Sequence, residues 1–245
     1  MNDIIKSLHA RKSVRSYEKR EIGDAEKRAI LEAAVQAPTA GNMTLYTIID
    51  VTDQALKDRL AVTCDNQPFI AEAPMVLVFC ADYQRWFDLF CRNMDEEVRR
   101  PAEGDLMLAL ADTLIAAQNA VVAAESLGIG SCYIGDIIEN FEEHKKLLGL
   151  PKYVIPACML CFGYPTEQQK RREKPSRFKI EDIVHPNVYS VAKAEEMEQM
   201  LARRNNLSEA ELKGWIERFC RRKWNCDFSV EMSRSAKEII KSFCE

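Results

Sequence analysis

The chain has 245 residues, with 34 Lys and Arg against 38 Asp and Glu, a net charge of −4 and only nine glycines. About 17 glycines would be usual at this length, and these nine build neither G-x-G-x-x-G nor G-x-x-x-x-G-K-[ST]; Gly128-x-Gly130 comes nearest, with Tyr133 in the third place. A glycine-rich phosphate cradle is excluded, and the small negative charge leaves no footprint of a nucleic-acid partner.

Apolar content of 47% and charged content of 29% describe an ordinary globule able to bury a large core. The N-terminal stretch MNDIIKSLHARKS lacks the apolar core of a signal peptide. Nine cysteines in such a chain are expected to be reduced, cytoplasmic thiols. Cys158-x-x-Cys161 lies in the apolar run PACMLCF. On a strand, positions i and i+3 face opposite sides, so these sulfurs diverge. No second Cys pair or nearby His completes a zinc site.

In chain order, residues 3–9 predict a short helix with Ile4, Ile5 and Leu8 on one face. Asp24 is the expected N-cap of a helix running to about Gln36 and stopped by Pro38. Tyr46–Val51 has strand character, residues 53–63 a helical pattern, and Met75–Cys80 the continuous apolarity of a buried strand. Residues 83–104 look irregular, aromatic at Tyr83, Trp86, Phe87 and Phe90 and then charged to Pro101, which suggests a mobile lid. A long helix follows from about Gly104 to Leu127, closed by Gly128. It is apolar nearly all round, yet Asp112, Asn119 and Ser126 recur every seven residues. That stripe fits a helix buried in protein rather than a membrane span. A turn at 128–133, a helix over 139–148 and a strand over 157–162 come next. Ser208-x-x-Glu211 is a capping box before a helix with Leu212, Trp215, Ile216 and Phe219, and a last amphipathic helix carries Met232, Ala236, Ile239, Ile240 and Phe243.

The acid–base inventory is thin. Three histidines, at 9, 144 and 185, stand in no motif, and no G-x-S-x-G, H-E-x-x-H or close carboxylate pair is present. Such a chain fits a reaction carried by a cofactor. The cluster Arg11-Lys12-Ser13-x-Arg15 can meet a phosphate, or a ring that becomes anionic on reduction; as an isolated feature it also fits a solvated basic turn. Lys174 and Arg177 form a second cationic group, and Thr39 and Asn42 flank Gly41 in a polar loop.

Order and spacing carry these segments further. Arg11-Lys12-Ser13-Val14-Arg15-Ser16-Tyr17 resembles the R-R-S-x-R-x-[FY] signature of the flavin-dependent nitroreductase family, and Ala37-Pro38-Thr39-Ala40-Gly41-Asn42-Met43 its A-P-S-x-x-N-x loop. Ala116-Ala117-Gln118-Asn119 through Tyr133-Ile134-Gly135 is similar to the family's long-helix block, Phe162-Gly163-Tyr164-Pro165 to its closing strand and turn, and Lys174-Pro175-Ser176-Arg177 with Val184-His185 to its K-P-x-R…V-H segment. The likeness spans about residues 3–190 and is nearest the oxygen-insensitive, NADPH-preferring branch.

The resemblance implies an α+β, nitroreductase-like fold: a central, mainly antiparallel sheet flanked by helices, with a long buried dimer-interface helix and a C-terminal helical extension. It implies an FMN-binding domain over 1–190 and the extension over 191–245. It implies a cytoplasmic homodimer holding FMN at the subunit interface, with no nucleic-acid or membrane partner. Arg11, Lys12, Ser13 and Arg15 would hold the FMN phosphate and ribityl chain and approach the pyrimidine edge of the ring, with Thr39 and Asn42 coming from the other subunit. Gln67 would contact the flavin, Tyr133, Ile134 and Gly135 would pass beneath the ring, and Lys174 and Arg177 would complete the phosphate site. No catalytic side chain and no metal are implied, because FMN carries hydride from NAD(P)H to a nitroaromatic, quinone or flavin acceptor by a ping-pong mechanism. A flavin carrier or sensor of the same fold, or a specialised flavoenzyme such as a reductive dehalogenase, is the alternative. Two departures stand out: Met43-Thr44-Leu45-Tyr46 replaces the common Q-P-W, and Asp136 follows Gly135, where an acid must point away from an anionic ring. Arg203, Arg204, Arg221 and Arg222 are candidates for recognising the NADPH phosphate.

Overall fold

The computed structural model describes residues 1–191 and 196–245; residues 192–195, inside the extension expected from residue 191, lie outside the described residues. The elements are α1 (Asp3–Ala10), α2 (Asp24–Val35), β1 (Tyr46–Asp50), α3 (Gln54–Thr63), α4 (Phe69–Glu72), β2 (Met75–Asp82), α5 (Gln84–Asn93), α6 (Glu103–Ser126), β3 (Gly130–Ile134), α7 (Phe141–Leu147), β4 (Val154–Gly163), α8 (Glu167–Arg171), α9 (Ile180–Ile183), α10 (Met197–Asn205), α11 (Glu209–Lys223) and α12 (Asp227–Cys244). The strands form one antiparallel sheet of order β1-β2-β4-β3, with Ile48 opposite Phe79, Val78 opposite Met159 and Cys132 opposite Cys161.

The two central strands, β2 and β4, are buried along their whole length, and this is why they read as unbroken apolar runs. One face of the sheet presents Leu77, Phe79, Leu160 and Phe162 to Ile30 and Ala34 of α2 and to the alanine-rich side of α6. The other presents Val76, Val78, Met159 and Cys161 to Leu60 and Ala61 of α3 and Ile70 of α4. Cys158 packs on the first face and Cys161 on the second, as the period-2 argument requires.

Small alanine side chains let α6 lie close against the sheet and α2, where the Asn119 amide donates to the Ala33 carbonyl at 3.2 Å. Its opposite side carries exposed Met107, Leu108, Leu114 and Ile115. Among the described residues α6 is the one helix long and apolar enough to cross a membrane.

Three local expectations change. Residues 83–104 are not irregular throughout: they begin with α5, whose Trp86 and Phe87 pack beside Tyr153 and Phe243. The turn expected at 128–133 contains β3, a strand too short and glycine-flanked to show a period. Helix α2 is capped by Gly23 rather than Asp24, because the Glu26 carboxylate reaches back to the Gly23 N–H at 2.9 Å.

Residues 1–172 and 231–245 make one compact unit and residues 173–230 a second. The main stretch of the first unit ends at Arg172, and most of α12 belongs with that unit. Side chains of α12 cap the start of α7: Glu231 accepts the Asn140 N–H at 3.1 Å, Ser235 accepts the Phe141 N–H at 3.3 Å, and Arg234 makes a two-pronged pair with Glu142 at 2.7 and 2.8 Å. In the second unit, Ser208 and Glu211 form the expected capping box at the start of α11.

Residues 11–17 run along the free edge of β3. Ser13 forms a parallel bridge with Ser131, the Val14 N–H donates to the Ser131 carbonyl at 2.9 Å, and Tyr17 forms an antiparallel bridge with Pro165. The approach requires glycine at two places: a Cβ on Gly130 would lie 2.8 Å from the Val14 Cβ, and one on Gly163 would lie 2.5 Å from the Tyr17 ring. Gly130→Ala is expected to lower stability by about 1–3 kcal/mol through this overpacking, measured by chemical denaturation. Gly104→Ala, where an added Cβ meets nothing within 4 Å, is expected to leave stability unchanged or raise it slightly.

Candidate functional site

The edge strand places the basic cluster. The Arg11 guanidinium lies 5.9 Å from the centre of the Tyr133 ring, and its Nε and Nη2 are buried with no hydrogen-bond partner. Ser131 Oγ, in the strand bridged to Ser13, is also buried and unpartnered. Buried donors in native proteins are almost always satisfied, and a guanidinium is most strongly satisfied by a phosphate or another anionic oxygen group. An anionic oxygen group from outside the chain would satisfy these atoms.

Arg15 lies 5.9 Å from the Phe69 ring, which brings it to the turn between α3 and α4. That turn carries Gln67, whose amide donates to the Cys64 carbonyl at 2.8 Å. Gln169 of α8 locks the cluster's backbone: its amide oxygen accepts the Arg15 N–H and its amide nitrogen donates to the Ser13 carbonyl, both at 3.3 Å. The Lys12 ammonium is turned to the end of α8, where it donates to the carbonyls of Lys170, at 2.7 Å, and Arg172. One of its three protons remains for a ligand. The Cys132 thiol lies against Ser13, Arg15 and Arg11; burial pushes it up, and the two cations and the Ser13 hydroxyl pull it back.

Arg11, Lys12, Ser13, Arg15, Gln67, Tyr133, Ile134 and Gly135 thus come together around β3 and the neighbouring turn. Gly135 is exposed, with open space where a Cβ would stand, and burial pushes the Tyr133 phenol up. Thr39 and Asn42 are not part of this group. Ser131 is opposite Phe162, itself opposite Met75, whereas the 39–45 loop leads into Tyr46, opposite Ala81. The two sets therefore sit at diagonal corners of the sheet, about 14 Å apart across it and roughly 20 Å along it. Thr39 and Asp112 of α6 are joined by a hydrogen bond between their side chains.

Lys174 and Arg177 belong to the second unit, where Arg177 donates to the Pro175 carbonyl at 3.1 Å. In the same unit Arg203 pairs with Asp182 at 3.0 Å and Arg204 lies 4.2 Å from the centre of the Phe178 ring.

Sequence reasoning missed Gln169, Ser131 and Asp112. Gln169 sits in a polar, basic stretch with nothing to distinguish it from Gln168. Ser131 lies within the segment similar to the family's long-helix block, but only the structure shows its hydroxyl unsatisfied. Asp112 was visible as a polar break in an apolar helix, without its partner.

A group of carboxylates surrounds Glu139. Glu139, 6% exposed, has a buried and unpartnered Oε1. Burial, reinforced by Asp136, Asp65 and Glu231, pushes its carboxyl up to about 7. Asp136 acts on Glu139 and on Cys64, so the acid that follows Gly135 is electrostatically part of this group.

The fold and site define a class. The nitroreductase family model matches residues 8–164. The chain is 35% identical over 189 residues to an oxygen-insensitive NADPH nitroreductase of Salmonella typhimurium, covering 77% of this chain and 75% of that protein. It is 37% identical over 193 residues to an FMN reductase [NAD(P)H] of Bacillus subtilis, again covering 77% and 75%. Among solved structures, NfrA1 of B. megaterium superposes with a TM-score of 0.85 at 28% identity, covering 99% of each chain. The chain belongs to the nitroreductase family, and its α+β fold is the nitroreductase fold.

The Glu139 group sets a pH dependence. Its carboxyl holds a proton to about pH 7 in the folded chain, against about 4.5 ordinarily. Folding is favoured while the proton is held, and that advantage is lost as pH rises from about 4.5 through 7. Glu139→Gln is expected to match the parent near pH 4.5 and to exceed it at about pH 8 by on the order of 1–3 kcal/mol, read from denaturation curves at both values.

Proposed function

We propose that this protein is an FMN-dependent NAD(P)H oxidoreductase that works as a cytoplasmic homodimer. The observation that carries the reading is the Arg11 guanidinium, buried against the Tyr133 ring with two nitrogens unsatisfied. A planar, anionic cofactor matches it: a phosphate or a flavin oxygen accepts from the guanidinium. The two relatives named above, an NADPH nitroreductase and an FMN reductase, bear names of the same chemistry.

In this reading Arg11, Lys12, Ser13 and Arg15 hold the phosphate and ribityl chain. Gln67 takes a polar edge of the ring, and Tyr133, Ile134 and Gly135 form the floor beneath it. When bound, FMN would supply the redox chemistry: hydride transfer between NAD(P)H and a nitroaromatic, quinone or flavin acceptor in a ping-pong cycle. The chain contributes binding, orientation and charge. Positive charge from Arg11 and Arg15 near the pyrimidine edge favours the reduced, anionic ring. Negative charge in the acid group around Glu139 would oppose it, and a protonated Glu139 lessens that charge. No protein nucleophile is needed, in keeping with three histidines outside any motif.

Two features support the dimer. The outward side of α6 exposes Met107, Leu108, Leu114 and Ile115, an apolar surface suited to a second copy. Thr39 and Asn42 lie far from Arg11 in one chain, so the family's loop contact needs a neighbour.

The purified protein is expected to be yellow and to release FMN on heating, and anaerobic NAD(P)H should bleach it. A colourless protein that rejects FMN overturns the reading, and a bound flavin that NAD(P)H does not bleach makes the protein a carrier instead. Arg15→Ala is expected to raise the FMN dissociation constant about 10- to 100-fold, as loss of a charge-assisted hydrogen bond does, measured by flavin fluorescence titration. Unchanged affinity would return the cluster to a solvated basic turn.

A further inference from the structure

The loop between α2 and β1 is clamped from two sides. On the donor side stands the carboxylate of Asp112, 5% exposed in α6. It accepts the Thr39 hydroxyl, the Ala40 N–H at 3.0 Å and the Leu45 N–H at 3.5 Å. Thr39 Oγ1 in turn accepts the Thr44 N–H at 2.8 Å. On the carbonyl side, Trp86 Nε1 donates to Met43 at 2.7 Å, and Arg85 donates to Thr44 at 3.0 Å and Tyr46 at 2.6 Å. Arg85 is itself held by Asp82 at 3.1 Å.

Between these anchors the backbone is unusual. Gly41, Asn42 and Thr44 have φ values of 55°, 58° and 52°. The left-handed region is tolerable for Gly and Asn, but a β-branched residue such as Thr44 enters it only when its surroundings insist. The clamp supplies that insistence. It leaves the Asn42 side chain exposed, with no hydrogen bond among the described residues. A hydroxyl has one proton to give, and Thr39 gives its proton to Asp112.

We propose that Asp112 is a positioning residue for the cofactor site. Its carboxylate, with Thr39 as an internal strut, sets the 39–45 loop so that the Asn42 amide is the group this loop offers to the flavin held by the neighbouring subunit. Thr39 acts through Asn42 and does not donate to the cofactor. The inference rests on the FMN-binding dimer proposed above.

The test is a set of double-mutant cycles on the full-length protein, reading the FMN dissociation constant and the visible flavin band. Thr39→Ala and Asp112→Asn are each expected to raise the dissociation constant about tenfold, and Thr39→Ser to restore the affinity that Thr39→Ala loses. Residues acting as one unit are non-additive, so Thr39→Ala with Asp112→Asn should be no worse than the worse single change. Thr39→Ala with Asn42→Ala should likewise equal Asn42→Ala alone, which keeps the test decisive if Asp112→Asn fails to fold. The band shift caused by Asn42→Ala should reappear in Asp112→Asn. Multiplicative losses in either pair, or an Asn42→Ala protein that binds FMN as the parent does, would overturn the proposal. Rejection of FMN by the parent protein would instead overturn the cofactor reading, with these cycles never begun.

Discussion

The contact between residues 11–17 and the free edge of β3 governs the rest of the site. Two backbones approach closely there because Gly130 and Gly163 bring no side chain of their own. The Val14 N–H takes the Ser131 carbonyl, and the N-terminal segment becomes an added edge to the sheet. A basic segment left in solvent would pay a large conformational cost to organise around an anion. Fixed along β3, it holds Arg11 over Tyr133 and Arg15 beside Phe69 before any ligand arrives. Gln169 and Lys12 extend the same logic, tying the segment to α8 with hydrogen bonds that leave both arginine heads out of ion pairs among the described residues.

Acidic side chains also meet near that frame. Asp136, Asp65 and Glu231 each act on the buried Glu139 carboxyl. A protonated Glu139 lessens the repulsion in the acidic group, so the chain tolerates carboxylates close in sequence to a segment that would serve an anionic ring. Arg234 also helps: it takes Glu142 and Glu231 and fixes the turn where Glu139 and Asn140 enter α7.

Much of this was legible in sequence, for physical reasons that differ from element to element. The long helix showed itself through its length and alanine content, and β2 and β4 through unbroken apolarity. The basic cluster was legible as chemistry, and the order of five motifs gave the family. The α5 segment was missed because Trp86, Phe87 and Phe90 have helical spacing for only one turn before charges dominate. The strand β3 was missed because a five-residue strand that begins at Gly130 and is followed by Gly135 carries no period. The place of α12 was not legible because it looks like part of a C-terminal tail, and its hydrogen bonds to residues 140–142 join it to the first unit. Asp112 and Ser131 show the general limit. A sequence reveals a polar residue in an apolar context, but whether a distant loop satisfies it, or a ligand must, is settled by tertiary contacts.

Placing the cationic cluster and the Thr39–Asn42 loop at diagonal corners of one sheet has a thermodynamic consequence. If a single chain held both, cofactor affinity would be independent of protein concentration. In the proposed dimer the two halves lie on different chains and the complete pocket forms only on association, so ligand binding and association would share one free energy. Each FMN bound between subunits would favour the dimer by its differential affinity, and dimerisation would raise FMN affinity by the same factor. The exposed apolar side of α6 would then not have to supply all of the association energy. The clamping of the 39–45 loop by Asp112, Arg85 and Trp86 suits that arrangement. In the proposed dimer the loop would have no covalent tether to the pocket it completes, and its own chain would have to fix its conformation.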